Sequence, residues 1–361
     1  VSGKLDAAAV NELELIARLS RDLPGNASVV VGAGDDCAVL EVGLPDRWLL
    51  FKTDAVVEGI HFAPGTAPER IGHKALGRCL SDVAAMAGEP ASALVTIGLP
   101  RQFEPAFVEG IYAGLGRLAQ KYRVALVGGE TTASPERLFM SVALLGTVAK
   151  GRAALRSGAR AGDAIFVTGE LGGSRAGKHL DFEPRLAEAG WLAAHFTLHA
   201  MIDLSDGLAS DLRHVLHASH AGAELLAEAI PISRAARRPP AASSEACPGA
   251  PPAVEPPAQQ PASLGEASTG PGESAKAEAP PPGVYGRKTP LLAALTDGED
   301  FELLFTVASR DAVPLLDAWK AQFPDLRLSC IGKITAEPGV RIRDRKGIQP
   351  LAVHGYVHFA E

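Results

Sequence analysis

Five times along this chain, an apolar run or a glycine turn ends in acid. The positions are Asp35 with Asp36, Asp54, Glu130, Asp203 with Asp206, and Glu299 with Asp300. Solubility does not need acids at strand ends. Carboxylates drawn together without a cation repel and raise one another's pKa. A fold that gathers these turns must therefore bring cations to them. Mg2+ suits that role: it is a hard ion that takes one or two carboxylates and leaves room for phosphate oxygens. The pattern points to ATP or other polyphosphate chemistry.

The densest example is Met201–Leu212, MIDLSDGLASDL. A short apolar lead-in delivers Asp203, Ser205 and Asp206, then Gly207 opens a helical pattern. For one such stretch, an ordinary helix cap at Ser205 or Asp206 is the better explanation. The recurrence elsewhere favours a metal. Asp211, one turn into the helix, reads as a solvated residue.

Around these turns the chain alternates strands and helices. Strands are predicted over 28–31, 48–52, 92–99, 124–127 and 139–148, with helices over 11–19, from Pro68 to about Met86, and over 104–122. Asp82 sits late in the Pro68 helix, where the helix dipole disfavours a carboxylate. Arg78, four residues earlier, offers a surface ion pair; a metal is the alternative. Gly128-Gly-Glu-Thr-Thr132 reads as a loop after a strand, suited to phosphate or to a plain hairpin.

Near residue 150 the pattern restarts. A strand over 164–168 runs into Gly172, Gly177 and Lys178 at P-loop spacing, but position 179 is His where the motif needs Ser or Thr, so a glycine-rich turn is expected. Further strands are predicted over 222–226, 301–307, 326–331 and 340–342, with a helix over 312–323. This implies an α/β fold in α+β layers, with domains at 1–149 and 150–361. Within the second, Pro239–Pro282 holds 12 prolines and 11 alanines and no aromatic residue. Such a segment buries too little apolar surface to offset its ordering entropy, so a disordered insertion over 234–287 is expected.

Composition removes several classes. The formal net charge of −7 and the lack of a basic stretch argue against a nucleic-acid surface. No apolar run approaches the roughly 18 residues of a membrane span, and VSGKLDAAAV lacks the pattern of a secretory leader. The cysteines Cys37, Cys79, Cys247 and Cys330 are far apart and fit no zinc spacing; Cys37 reads as a small packed residue. A reduced, cytoplasmic protein is expected.

Eight stretches then occur in a familiar order: GDDCAVL (34–40), TDAVVEGIHF (53–62), KALGRCLSDVAAMAGEP (74–90), LVGGETT (126–132), RSGARAGD (156–163), VTGELGGSRAG (167–177), MIDLSDGLASDL (201–212) and DGEDFELLF (297–305). In these the chain resembles the thiamine-monophosphate kinase family, of the superfamily that includes aminoimidazole ribonucleotide synthetase. The resemblance implies an N-terminal domain whose sheet pairs in a homodimer and a C-terminal α/β domain. It implies transfer of the γ-phosphate of ATP to thiamine monophosphate, with several Mg2+ ions and no dedicated catalytic base. Carried over position by position, it assigns Asp36, Thr53, Asp54, Asp82, Glu130, Asp203 and Asp206 to metal. Gly129, Glu130, Arg156 and Ser205 fall to ATP, and His61, Glu299 and Tyr356 to the thiamine substrate. Departures are Glu130 where the family usually has Asp, Lys52 where a small hydroxyl residue is common, a shortened 177–201 segment, and the insertion. The alternatives are another ATP-using synthetase of the superfamily and a catalytically silent nucleotide-binding protein.

Overall fold

Alternate burial writes the first sheet. Met140, Val142, Leu144 and Val148 are buried while Leu145 between them is exposed, the signature of a strand with one dry face. The computed structural model describes residues 12–238 and 288–353. After a short helix α1 (Glu12–Ser20), it builds six strands: β1 (Val29–Val31), β2 (Ala38–Leu40), β3 (Arg47–Val57), β4 (Glu89–Leu99), β5 (Ala125–Ala133) and β6 (Phe139–Ala149). Their order is β1-β2-β3-β6-β4-β5, antiparallel except for β4 with β5.

Two strands run longer than expected. β3 pairs with β6 from Arg47 to Val57, so Thr53 and Asp54 lie within a strand. β5 runs straight through Gly128-Gly-Glu-Thr-Thr132, where a loop was expected. Its pairing with β4 explains this: a Cβ at Gly129 would lie 1.8 Å from the Val95 carbonyl oxygen, so only glycine lets the strands approach there.

Helices α2 (Pro68–Ala85) and α3 (Pro105–Lys121) start at proline, which suits the first turn. Glycines bring them into backbone contact: a Cβ on Gly72 would meet the Ile111 carbonyl oxygen at 1.9 Å, and one on Gly114 would meet that of Glu69 at 1.9 Å. α2 is buried on nearly every side. Ile71, Leu76, Cys79, Leu80 and Val83 pack into the core of the first sheet. Ala84 and Ala85 pack with Phe166 and Phe305 of the second.

That second sheet comprises β7 (Ala164–Thr168), β8 (Ala200–Asp203), β9 (Gly222–Leu226), β10 (Leu303–Val307), β11 (Leu328–Thr335), β12 (Gly339–Asp344) and β13 (Gly347–Pro350), in the order β13-β12-β9-β11-β7-β10-β8. Helices α4 (Lys178–Asp181), α5 (Leu186–His195), α6 (Leu208–Ser219), α7 (Arg234–Arg237), α8 (Pro290–Thr296) and α9 (Ala312–Gln322) complete it. The glycine turn after β7 is not a P-loop: Lys178 Nζ is held 2.8 Å from Glu302. Arg234–Arg237, at the edge of the expected insertion, is helical. Positions 239–287 lie outside the described residues. Among the described residues, no helix is long and apolar enough to cross a membrane.

Candidate active site

Three separate elements deliver one carboxylate each to a common point. Asp36 follows the Gly34 turn ahead of β2, Asp82 sits in the last turns of α2, and Asp203 ends β8. All three are buried, and one oxygen from each lies within 4.8 Å of the others. Asp36 Oδ2 and Asp82 Oδ2 are buried and accept no hydrogen bond. The other oxygens are held: Arg156 Nη2 lies 2.6 Å from Asp36 Oδ1, Lys52 Nζ 3.0 Å from Asp82 Oδ1, and Ser81 Oγ donates to Asp203 Oδ2 at 2.6 Å.

The electrostatics follow from crowding. Burial, with the charge of Asp36 second, pushes Asp203 up to about 7. Burial raises Asp82 well above the carboxylate range, against the pull of Lys52. Asp35 is pushed up to about 6 by burial and by Asp36, although the Arg156 amide donates to it at 3.1 Å. An all-oxygen donor set with two partnerless buried oxygens fits a hard divalent cation, which would relieve this repulsion.

The Arg78–Asp82 ion pair, the alternative to a metal at Asp82, does not form. Arg78 goes to Asp54, with Nε 3.1 Å from Oδ2 and Nη2 3.2 Å from Oδ1, and Lys52 takes Asp82. Residues four apart on a helix lie about 6 Å apart, close to the roughly 6.6 Å between alternate residues of a strand. Lys52 and Asp54, on the inner face of β3, therefore match Asp82 and Arg78 across the gap. Burial works against the ionised form of Asp54, but the charges of Arg78 and Lys52 outweigh it and its pKa is lowered. For Lys52, burial is likewise outweighed, chiefly by Asp82 and Asp54, and its pKa is raised.

Not every expected ligand joins the trio. Strand alternation turns Thr53 to the opposite face of the sheet, where its Oγ1 lies 3.2 Å from Ser141 Oγ. Glu130 is exposed on β5 and registers with Thr96, which registers with Ser141, so it shares that outer face with Thr53. Asp206 belongs to a second trio with Asp211 and His214. Asp211 is not solvated, as its place on α6 implied: it is 2 % exposed, and its Oδ2 accepts the amides of Asp206 at 3.1 Å and Gly207 at 3.0 Å. Burial, then the charge of Asp206, raises its pKa.

Glu299 is tied down. Lys74, with a fully buried side chain, donates to Glu299 Oε1 and to the His61 carbonyl oxygen, and its Nζ lies 2.8 Å from His179 Nδ1. His179 Nδ1 is itself 3.2 Å from Glu299 Oε2. Burial opposes the Glu299 charge, but His179 and Lys74 overcome it and hold the carboxyl down to about 2. Burial lowers Lys74 to about 8 in spite of Glu299. His61 Nδ1 accepts the Val57 amide at 3.0 Å, closing its own turn. Glu299 and Phe301 adopt φ of 64° and 50°, a costly conformation for non-glycine residues, and the Glu299 amide donates to the Ser205 carbonyl at 2.7 Å. This turn thus lies directly on Ser205 and Asp206. Tyr356 lies outside the described residues.

Comparisons with known proteins give the family and the fold. A family model described as AIR synthase related protein, N-terminal domain, covers residues 34–148. A thiamine-monophosphate kinase of Rhodopirellula baltica is 35% identical over 348 residues, covering 94% of this chain and 93% of the relative. This chain belongs to the thiamine-monophosphate kinase family. The Escherichia coli K12 member is 33% identical over 98% of this chain and 99% of its own length. A solved structure described as AaThiL complexed with AMPPCP and TMP superposes with a TM-score of 0.72 at 27% identity, covering 99% of this chain and 100% of the other. The fold is the two-domain, mixed α/β arrangement of that family.

Family motifs alone did not single out Lys74, His179 or Asp211. A signal for the first was present in α2. Lys74, Arg78 and Asp82 recur every four residues through the largely apolar later part of the helix, which places a charged stripe on one face. No sequence signal ties His179 to Glu299, 120 residues away in number.

Proposed function

We propose that this chain transfers the γ-phosphoryl group of ATP to the phosphate of thiamine monophosphate, giving thiamine diphosphate and ADP. The observation that carries this reading is the buried Asp36–Asp82–Asp203 trio with two partnerless oxygens, in a chain of this family. In this reading Asp36, Asp82 and Asp203 hold Mg2+, with Asp54, Asp206 and, from the outer face, Thr53 and Glu130 supporting further ions. Bound Mg2+ supplies charge neutralisation between two polyanions that would otherwise repel.

The chain's own residues do the rest. The attacking group is already an anionic phosphate oxygen, so no side chain needs to remove a proton. Arg156, fixed by Asp36, presents a guanidinium to the nucleotide. Gly129 and Ser205 let backbone and hydroxyl approach the phosphates. Glu299 stays ionised and, with His61 and Tyr356, receives the cationic thiamine portion. Because the Glu299 turn rests on Ser205, acceptor and donor are positioned by one contact.

The active unit in this reading is a homodimer, with domains at 1–149 and 150–361. The outer face of the first sheet exposes Phe51, Leu94, Leu126, Val127 and Leu145, an apolar surface that a second copy would cover. Use of ATP assigns the reaction to the cytoplasm. The test is Mg2+-dependent formation of thiamine diphosphate from thiamine monophosphate, run beside thiamine and other phosphate acceptors. Equimolar ADP and thiamine diphosphate are expected; ATP binding without turnover overturns the reading.

A further inference from the structure

We propose that the ammonium of Lys52 is a built-in cation, filling a position in the Asp36–Asp82–Asp203 cluster that would otherwise take a divalent ion. The inference rests on the reading that this cluster binds divalent cations.

Lys52 projects from the inner face of β3, and its Nζ reaches Asp82 Oδ1 at 3.0 Å. The contact is well enclosed, with side-chain exposures of 23% for Lys52 and 9% for Asp82. Asp54 and Asp36 also act electrostatically on the ammonium. Lys52 thus sits where several carboxylates converge. It satisfies only one oxygen of Asp82, and the other oxygen, together with Asp36 Oδ2, still lacks a partner.

Charge counting separates the lysine from a small neutral residue at this place. Three carboxylates facing Lys52 and Arg156 leave one unit of negative charge. One divalent ion reverses that charge to one positive unit, and a second would raise it to three. Without Lys52 the cluster carries two negative units, so one ion balances it and a second, aided by nucleotide phosphates, leaves only two positive units. A buried site resists unbalanced charge strongly. An ammonium also never leaves by dilution, so part of the neutralisation becomes independent of metal concentration.

The test counts bound Mn2+ by electron paramagnetic resonance and equilibrium dialysis, with a non-hydrolysable ATP analogue, in the full chain and in Lys52→Thr, Lys52→Met and Lys52→Arg. The threonine variant is expected to bind one more Mn2+ per chain than the parent, or to bind it about tenfold more tightly. The arginine variant, which keeps the charge, is expected to match the parent. In EDTA the methionine variant should melt below the parent, and Mn2+ should restore it; folding only when Mn2+ is present supports the proposal equally. Identical stoichiometry and affinity in parent, threonine and methionine chains overturn it, as does an extra ion in the arginine variant. If no chain binds Mn2+, this inference and the metal reading fall together. Mn2+ binding that depends on Lys52 in a chain making no thiamine diphosphate leaves the inference standing and removes only the kinase reading.

Discussion

Helix α2 serves two buried charge clusters that solve the same problem in opposite ways. Toward its start, Lys74 meets Glu299 and His179, and the Glu299 carboxylate is paired by its own chain. Just over two turns later, Asp82 meets Asp36 and Asp203, and two carboxylate oxygens there have no donor. The first cluster is complete as folded; the second is short of positive charge. Burial penalises the ionised form in both. Neighbouring charges then decide whether the outcome is a depressed carboxyl, as at Glu299 beside His179 and Lys74, or a raised one, as at Asp203 beside Asp36. The paired cluster fixes Glu299 in the place from which it is proposed to meet substrate, whereas the deficient one calls for added positive charge.

The largest expected effect breaks the deficient cluster. Asp36→Asn should lower turnover by about a thousandfold, because it removes electrostatic support for charge in the transition state. Its melting temperature in EDTA should change little, since relief of the repulsion on Asp203 offsets the lost pairing of Arg156. A variant that unfolds instead would mean the trio is structural, like the Glu299 cluster.

Next in size is the self-sufficient cluster. Glu299→Gln leaves Lys74 buried without its counter-charge and should cost about 3 kcal/mol in urea unfolding at neutral pH. The two clusters should also respond oppositely to pH. Glu299 falls from 4.5 to about 2 on folding, so its contribution is complete above pH 4.5 and is lost as pH drops toward 2. Asp203 rises from 3.8 to about 7, so the folded state binds the extra proton and metal-free stability falls as pH rises across that window. Urea titrations in EDTA over both ranges measure the two slopes; a single common sign would erase the distinction.

Adding Mg2+ at pH 7 should stabilise the parent by about 2–3 kcal/mol at a hundredfold excess over its dissociation constant. The gain should shrink in Asp36→Asn and persist in Glu299→Gln, as calorimetric melting can show. The smallest effect is expected outside both clusters. Thr53→Val removes one exposed hydroxyl contact with Ser141 and should change stability by less than about 0.5 kcal/mol. A marked loss of turnover in that otherwise stable variant would sharpen its proposed role on the outer face.

Asp36 and Asp203 lie in acidic turns named from sequence and meet Asp82 of α2, and β7, α2 and α6 fall close to their predicted places. Motif wording and apolar periodicity are local properties, so they survive without coordinates. Partner choice does not. Arg78, four residues from Asp82, offered the plain ion-pair alternative to a metal there, yet Lys52 and Asp54 on β3 took the two partners instead. Gly128 and Gly129 suggested a loop because glycine usually marks one; here it marks close strand contact. Asp211 looked solvated because nothing nearby in sequence revealed the turn folding over it.

Read alone, the chain determined its family, its alternating layers and a set of candidate residues for phosphate and metal, because these depend on residue type and short spacing. Tertiary structure alone decided which carboxylates meet, which are neutralised by Lys52, Arg78 and Lys74, and which face of β3 each residue serves. Those outcomes depend on distances of a few ångströms between elements remote in sequence, where Coulomb interactions and desolvation change most steeply.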